Sequence, residues 1–417
     1  MLFNVIAPAL APGQAGPRYF GLVVGGRTPI SLLADFVTSS YDANVQLHLP
    51  NETISTYVES LSLDLVLDLL SISPSHFGGR TVTTGATASN ILGLAVGRQA
   101  VLSRILGSSY NAAEDGYRGV EIDVLAAESH ASIRKAASVV GIGRSRVVEL
   151  VGGGENELAA FDMLKLERAL KEAKEKGRGV IVCPSYGEVN TGAFTPDMPN
   201  IRRLCDEYGA WLHLDAAFGG YGALHPDFAD EVGSGMKMAD SLTLDGHKWL
   251  NVPYDCALFY TRSSSILQDV FGPGAQVSAY LNTNASSIPS PLNEGYTEII
   301  RRNITFARRI EAWLCASPDY DVLTPPSTSN GLDEKGKYRI LNIVLFAPSL
   351  SCGKKEFVGE YAGTRLVEAL NASGQMYVQG TKWRGRAAAR LAVSNWQTAK
   401  DDMDFEIVVN RLRVVME

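Results

Sequence analysis

The sequence predicts an α/β fold: a mainly parallel, mixed sheet flanked by helices, followed by a smaller C-terminal α+β domain. Three observations predict it. From about residue 80 to 262, short apolar runs alternate with amphipathic stretches, the pattern of strands alternating with helices. The apolar runs are rich in Val, Ile and Leu and nearly continuous, as suits parallel strands covered on both faces. A stretch rich in Ser, Asn, Pro and Gly at 263–298 interrupts the pattern. It reads as loop and domain junction.

The elements follow in order. Candidate strands are Ile122–Ala126, Val147–Leu150, Val180–Cys183, Trp211–Asp215, Ser241–Leu244 and Ala257–Tyr260. Between the second and third, Leu166, Ala169, Leu170 and Ala173 share one face of a helix at 162–176. Asp162 is placed to cap its start and Gly177 to end it. Beyond the junction a long helix is expected at 298–316, a strand at 340–345 and a helix near 356–372. A strand at 389–394 and a last helix at 401–416 complete the chain. This divides it into an N-terminal segment (1–50), a large domain (51–295) and a small domain (296–417). No repeat of solenoid period is present.

Composition bounds the function. The 417 residues include 38 Lys+Arg and 45 Asp+Glu, a formal charge of −7, with 46% hydrophobic and 20% charged residues. That is the balance of a soluble globular protein. It is long enough to bury a large core without disulfides or metal. The mild acidity argues against a nucleic-acid partner, which needs a basic face. The five cysteines, Cys183, Cys205, Cys256, Cys315 and Cys352, are odd in number and contain no C-x-x-C, so reduced thiols in a cytoplasmic protein are expected. The N-terminus lacks a basic n-region and is broken by Pro8 and Pro12, which argues against a signal peptide. No apolar run is long enough to span a bilayer. The six histidines have no metal-ligand spacing, and no H-E-x-x-H or G-x-x-x-x-G-K-[ST] occurs. The run Gly152–Gly154 reads as a surface turn.

Three segments carry chemistry. HLDAAFGG (213–220) and DGHKWL (245–250) each follow a candidate strand. Ligands of open α/β sheets bind at the carboxyl ends of strands, so one strand–helix–strand step brings Asp215 and Lys248 to one crevice. A lysine enclosed there readily loses its proton, and the neutral amine forms Schiff bases. An aspartate nearby suits a pyridinium nitrogen. An exposed loop lysine and a turn-capping aspartate are the plainer readings of either residue alone; their pairing overrides them. Upstream, Gly85-Ala86-Thr87 opens an amphipathic helix, where free N–H groups and the helix dipole favour an anion, although Thr before a helix is commonly only a cap. His130, in AAESHASIRKA, lies between a strand end and a helix start; it reads as a cap, or as an imidazole that stacks on a ring or shuttles protons.

In this order, the phosphate turn, ESH, HLDAA and HKW resemble the group II pyridoxal-phosphate decarboxylases, which include aromatic amino acid, histidine, tyrosine, glutamate and diaminobutyrate decarboxylases. PRYFGLVVGG (17–26) and the following DFVTSSYDANVQLHLP resemble that family's substrate-pocket segment, and GEVNTGAFTP (187–196) and ARLAVSNWQT (389–398) also fit. The resemblance covers nearly the whole chain. It implies the fold type I, aspartate-aminotransferase-like architecture, a homodimer, and pyridoxal 5′-phosphate as cofactor. It implies that Lys248 forms the Schiff base and that Asp215 salt-bridges the pyridine nitrogen. Ala217 would pack on one ring face and His130 on the other. Ala86 and Thr87 would hold the phosphate with His247 beside it, and Asn190 would contact the cofactor. Arg390 falls where such enzymes place the arginine for a substrate carboxylate. The reaction implied is decarboxylation of an L-amino acid to its amine and CO₂.

Three departures keep alternatives open. Few residues precede Pro17, so reduced dimer contacts are expected. The family's mobile loop, whose tyrosine donates the Cα proton, is largely lacking where SPLN (290–293) runs into EGYTE; Tyr280 and Tyr296 are the nearest tyrosines. Leu22, Val23 and Val24 stand where aromatic amino acid decarboxylases carry larger groups, which leaves the substrate side chain open. The alternatives are other fold type I chemistry (aldehyde lyase, aminotransferase or decarboxylation-dependent oxidase) and a catalytically impaired relative.

Overall fold

A computed structural model describes residues 2–10, 12–43, 51, 53–152, 158–272, 293–323 and 341–417. In chain order its strands are β1 (Tyr19–Phe20), β2 (Gly79–Thr83), β3 (Ile122–Ala126), β4 (Val147–Glu149), β5 (Gly179–Cys183) and β6 (Trp211–Asp215). Then come β7 (Ser241–Asp245), β8 (Ala257–Thr261), β9 (Tyr320–Val322), β10 (Ile343–Pro348), β11 (Tyr377–Trp383) and β12 (Arg386–Ala392). They form a seven-stranded sheet, β2-β8-β7-β6-β5-β3-β4, and a five-stranded sheet, β1-β11-β12-β10-β9. In the large sheet β4, β3, β5, β6 and β7 run parallel, while β8 is antiparallel to both β7 and β2.

The continuous apolar runs are explained by cover on both sides. Every residue of β3, β5, β7 and β8 is buried. On one face, Leu94 and Val101 of the helix Ala86–Leu106 and Ile133 and Ala136 of the helix Ala131–Val139 pack on Val124, Ile181 and Trp211. On the other, Leu166, Leu170, Ile201 and Leu204 pack on Leu125, Val182, Leu212 and Leu214. The expected helix after Asp162 is Met163–Glu175; the Asp162 carboxylate accepts from the Lys165 N–H, and Gly177 takes a left-handed φ of 65° beyond its end.

The structure differs from expectation where amphipathic or very short elements are involved. β11 alternates exposed and buried positions and contains Gly380, which breaks up its apolar signal. The N-terminal segment supplies β1, which pairs in parallel with β11 through Tyr19 and Phe20, a partnership too short to leave a sequence pattern. The helix expected from 356 begins at Ala362, because Gly359 turns the chain with φ of 93°. Part of the expected junction, Ser264–Phe271, is a helix capped by the Ser263 hydroxyl. The rest of that junction from 273 to 292, and Gly153 and Gly154 of the glycine run, lie outside the described residues.

Candidate active site

The parallel strands deliver their following loops to one side of the sheet, and a cavity of about 490 Å³ opens there, within the size range of small-molecule sites. It is lined by Asp215 from β6, Asp245, His247 and Lys248 from the end of β7, His130 beyond β3, Glu188 beyond β5, and Thr87 at the start of the Ala86 helix. The small sheet adds Arg390 from β12, and the N-terminal segment adds Leu22, Val23 and Val24. Gly25 makes this closure possible: a Cβ there would lie 2.1 Å from the Lys248 carbonyl oxygen.

Asp215 and Lys248 thus meet in one cavity. The Asp215 carboxylate accepts from Asn90 Nδ2 at 2.8 Å and from the Ala217 N–H at 3.3 Å, and among the described residues it has no ion pair. Lys248 is ion-paired: its ammonium lies 3.2 Å from Asp245 Oδ2, and 5.7 Å from the centre of the Phe218 ring. Ala217 lines the cavity beside Asp215. His130 caps the helix Ala131–Val139, its Nδ1 accepting from the Ser132 N–H at 3.2 Å, so the residue is both cap and cavity wall. The enclosing protein pushes its pKa down, with Asp215 opposing and Lys248 reinforcing the shift.

The anion site is narrower than the sequence suggests. The Ala86 N–H is engaged by Asp245 Oδ1 at 3.0 Å. Thr87, whose hydroxyl has no hydrogen bond among the described residues, remains free at the helix start. His247 stacks on Tyr254 with ring centres 3.9 Å apart. Its Nδ1 accepts from the Cys256 N–H at 3.2 Å, which leaves Nε2–H to face Asp245 Oδ1 at 3.4 Å. Burial holds its pKa below the ordinary value. Asn190 is not brought in: its amide bonds Glu188 at 2.9 Å and Thr381 at 2.7 Å, bracing the turn after β5 against β11. Arg390 is buried, donates to the Val189 carbonyl at 2.9 Å and the Gly21 carbonyl at 3.4 Å, and keeps Nε without a partner among the described residues.

Sequence reasoning missed three residues. Asn90 lies on the helix face it shares with Gly93 and Gly97, and a lone amide among glycines was the available signal. Asp245 heads the quoted DGHKWL but was given no role. Tyr254 brings the single phenol among the residues lining the cavity. Of the two tyrosines nearest the shortened loop in sequence, Tyr296 packs against the large-domain core and Tyr280 lies outside the described residues. Among the described residues no cluster of His, Cys, Asp and Glu is arranged to hold a metal ion, and no helix is long and apolar enough to cross a membrane.

A pyridoxal phosphate group fits this donor set: a carboxylate with a free edge for a cationic ring nitrogen, an amine for a carbonyl, and an unpaired hydroxyl at a helix N-terminus for phosphate. Comparisons with known proteins agree. The chain is 24% identical to an aromatic-L-amino-acid decarboxylase of Bacillus atrophaeus, over 93% of this chain and 79% of that one. It is 23% identical to a 3,4-dihydroxyphenylacetaldehyde synthase of Drosophila melanogaster, over 84% and 69%. The structure of Oryza sativa TDC with PLP and tryptamine superposes with a TM-score of 0.81 at 20% identity, covering 100% of this chain and 86% of that one. The family model described as the pyridoxal-dependent decarboxylase conserved domain matches residues 4–312. The chain therefore belongs to the pyridoxal-dependent decarboxylase family, enzymes of fold type I whose cofactor is pyridoxal 5′-phosphate.

Proposed function

We propose that this cavity decarboxylates an L-amino acid, with Lys248 as the residue that carries the cofactor. The observation that supports this most directly is the meeting of the Lys248 amine and the Asp215 carboxylate in one 490 Å³ cavity. When bound, the cofactor supplies the electron sink for the pair left on Cα as CO₂ departs. Asp215 would hold the positive charge of the ring nitrogen, Ala217 and His130 would bound the ring, and Thr87 with the N-terminus of the Ala86 helix would hold the phosphate, with His247 beside them. The Lys248 amine would hold the cofactor's carbonyl carbon, and the Asp245 carboxylate, 3.2 Å from that amine, would keep it turned into the cavity. Arg390 binds the substrate carboxylate, and Leu22, Val23 and Val24 make an aliphatic wall for the substrate side chain. Tyr254 is assigned the return of a proton to Cα, since it brings the one phenol among the residues lining the cavity.

The chain is read as three parts, 1–50, 51–295 and 296–417, and as a homodimer in the cytoplasm. The helix Pro29–Tyr41 has no buried residue and exposes Ile30, Leu33, Phe36 and Tyr41, an apolar stripe that a second copy would cover. The five cysteines are free thiols, in keeping with a reducing compartment. The test is direct. Protein incubated with pyridoxal phosphate and reduced with borohydride should carry the adduct on Lys248 in a peptide map. A panel of L-amino acids should then release CO₂ and amine. Aldehyde with peroxide in place of amine would assign the oxidative outcome instead. Absence of the adduct, or CO₂ release surviving in Lys248→Ala, overturns the reading.

A further inference from the structure

Behind Asp215 runs a chain of buried side chains that the reaction as described does not use. Trp211 Nε1 donates to Ser241 Oγ at 2.9 Å, and Ser241 Oγ is 2.8 Å from His213 Nδ1. His213 Nε2 is 3.0 Å from Asn90 Oδ1, which also accepts from Thr243 Oγ1 at 2.8 Å. Asn90 Nδ2 donates to Asp215 Oδ2 at 2.8 Å and to Ser132 Oγ at 3.0 Å. Ser132 Oγ is in turn 2.7 Å from His130 Nδ1. Trp211, Ser241, His213, Asn90, Thr243 and Ser132 are all buried.

The chemistry of the two ends leaves one arrangement of protons. The Asn90 oxygen that faces His213 only accepts, so His213 carries its proton on Nε2 and its Nδ1 accepts from the Ser241 hydroxyl, whose oxygen accepts from the indole Nε1–H. An ionised carboxylate only accepts, so the Asn90 amide must turn its NH₂ to Asp215 and its oxygen to His213 and Thr243. The same NH₂ occupies the Ser132 oxygen and turns that hydroxyl toward His130 Nδ1. The Ser132 backbone N–H already points at that nitrogen, at 3.2 Å, so the His130 proton sits on Nε2. No hydrogen bond engages that atom among the described residues.

We propose that Asn90 is a positioning residue of the reaction: its amide turns the Asp215 carboxylate to face the cofactor and, by engaging the Ser132 hydroxyl, reinforces the backbone N–H that keeps His130 in its Nε2–H form. Packing of the helix on the sheet needs none of this polarity. Gly93 and Gly97 set the close approach, because a Cβ at Gly93 would lie 2.1 Å from His213 Cε1 and one at Gly97 2.8 Å from Trp211 Cδ1. What the polar chain adds is a direction, and it ends on the two cavity groups that flank the ring.

The proposal rests on the cofactor reading above, so its test has an arm that needs no cofactor. In cofactor-free wild-type protein labelled with ¹⁵N-histidine, two-bond N–H correlation spectra should show His130 with its proton on Nε2. A proton on Nδ1 overturns the proposal whatever the enzyme binds. The second arm uses the isosteric Asn90→Asp, which sets two carboxylates face to face so that they share a proton. Pyridoxal phosphate affinity at pH 7.5 should fall at least tenfold, and the bound chromophore should lose its protonated-ring absorbance at lower pH than in wild type. A purely structural role would lower thermal stability and leave the His130 tautomer, the affinity and the absorbance titration within twofold of wild type; that result also overturns it. Wild-type protein that takes up no pyridoxal phosphate would sink the functional reading, and the tautomer would still judge the relay.

Discussion

Asp215 and Asp245 end adjacent parallel strands, β6 and β7, and line the same cavity, yet their surroundings are opposite. Asp215 is held by neutral donors, Asn90 Nδ2 and the Ala217 N–H. Asp245 is surrounded by the protein's own positive character: the Lys248 ammonium, the His247 ring and the Ala86 N–H at a helix start. A carboxylate satisfied by neutral donors keeps its charge available to a ligand cation. One that is already paired organises the site and offers little to a ligand. Two aspartates one strand apart therefore do different work, and the difference lies in what faces them.

The sharpest way to break this comparison is to neutralise each carboxylate without changing its shape. Asp215→Asn removes the charge meant for the ring nitrogen. Steady-state CO₂ release should fall on the order of 10²–10³-fold, the range for deleting one preorganised charge-stabilising group. A drop of less than threefold would show that Asp215 is not the cationic partner.

The next effect concerns the neutral network behind Asp215. Burial pushes His213 from an ordinary value of 6.5 down to about 4. Above 6.5 the ring is neutral whether the chain is folded or unfolded, so it contributes no pH dependence. As pH falls from 6.5 toward 4 the unfolded chain takes up a proton that the folded one refuses. The fold then loses about 3 kcal/mol at roughly 1.4 kcal/mol per pH unit. Urea midpoints measured across this window should fall steeply for wild type and less steeply for His213→Gln. His130, His225 and His247, also held below their ordinary values by burial, contribute to the slope that remains.

The close helix–strand approach can be tested in the same way. Gly93→Ala places a Cβ against a ring hydrogen-bonded at both nitrogens, so the ring has no room to turn aside. A loss of about 1–3 kcal/mol in urea unfolding is expected, in the range for overpacking a close-packed interior, despite the better helix propensity of alanine. The equivalent change at Gly107, where a Cβ would meet nothing within 4 Å but φ is 110°, tests backbone strain alone.

These contrasts mark what was legible in the sequence. Strands β3, β5, β6, β7 and β8 were readable to within a residue: burial on both faces makes β5 and β8 nearly continuous apolar runs, and β3, β6 and β7 are short, leucine- or valine-bearing segments set at regular intervals between helices. β1 and β11 were not: one is two residues long and the other alternates. Asp215 and Lys248 were legible because strand ends in an open α/β sheet converge. Asn190 misled, since its turn approaches the cavity while its amide faces Glu188 and Thr381. Asn90 and Asp245 escaped because a side chain's role here depends on partners far off in sequence: Asn90 is joined to Asp215 across 125 positions and the Ala86 N–H to Asp245 across 159.

The smallest expected effect probes the other aspartate. Asp245 places a negative charge at the start of the Ala86 helix, where the cofactor phosphate is proposed to sit, and two anions there compete for the same dipole and N–H groups. Asp245→Asn keeps an oxygen for the Ala86 N–H and removes the charge. Pyridoxal phosphate should then bind about fivefold more tightly, since a charge at a helix terminus is worth about 1 kcal/mol. Pyridoxal, which lacks the phosphate, should gain nothing, and fluorescence titration with both ligands makes the distinction. Equal gains for the two would mean that Asp245 acts on the ring through Lys248. Weaker binding of pyridoxal phosphate would mean that the carboxylate organises the phosphate site, and the two aspartates would then differ less than their surroundings suggest.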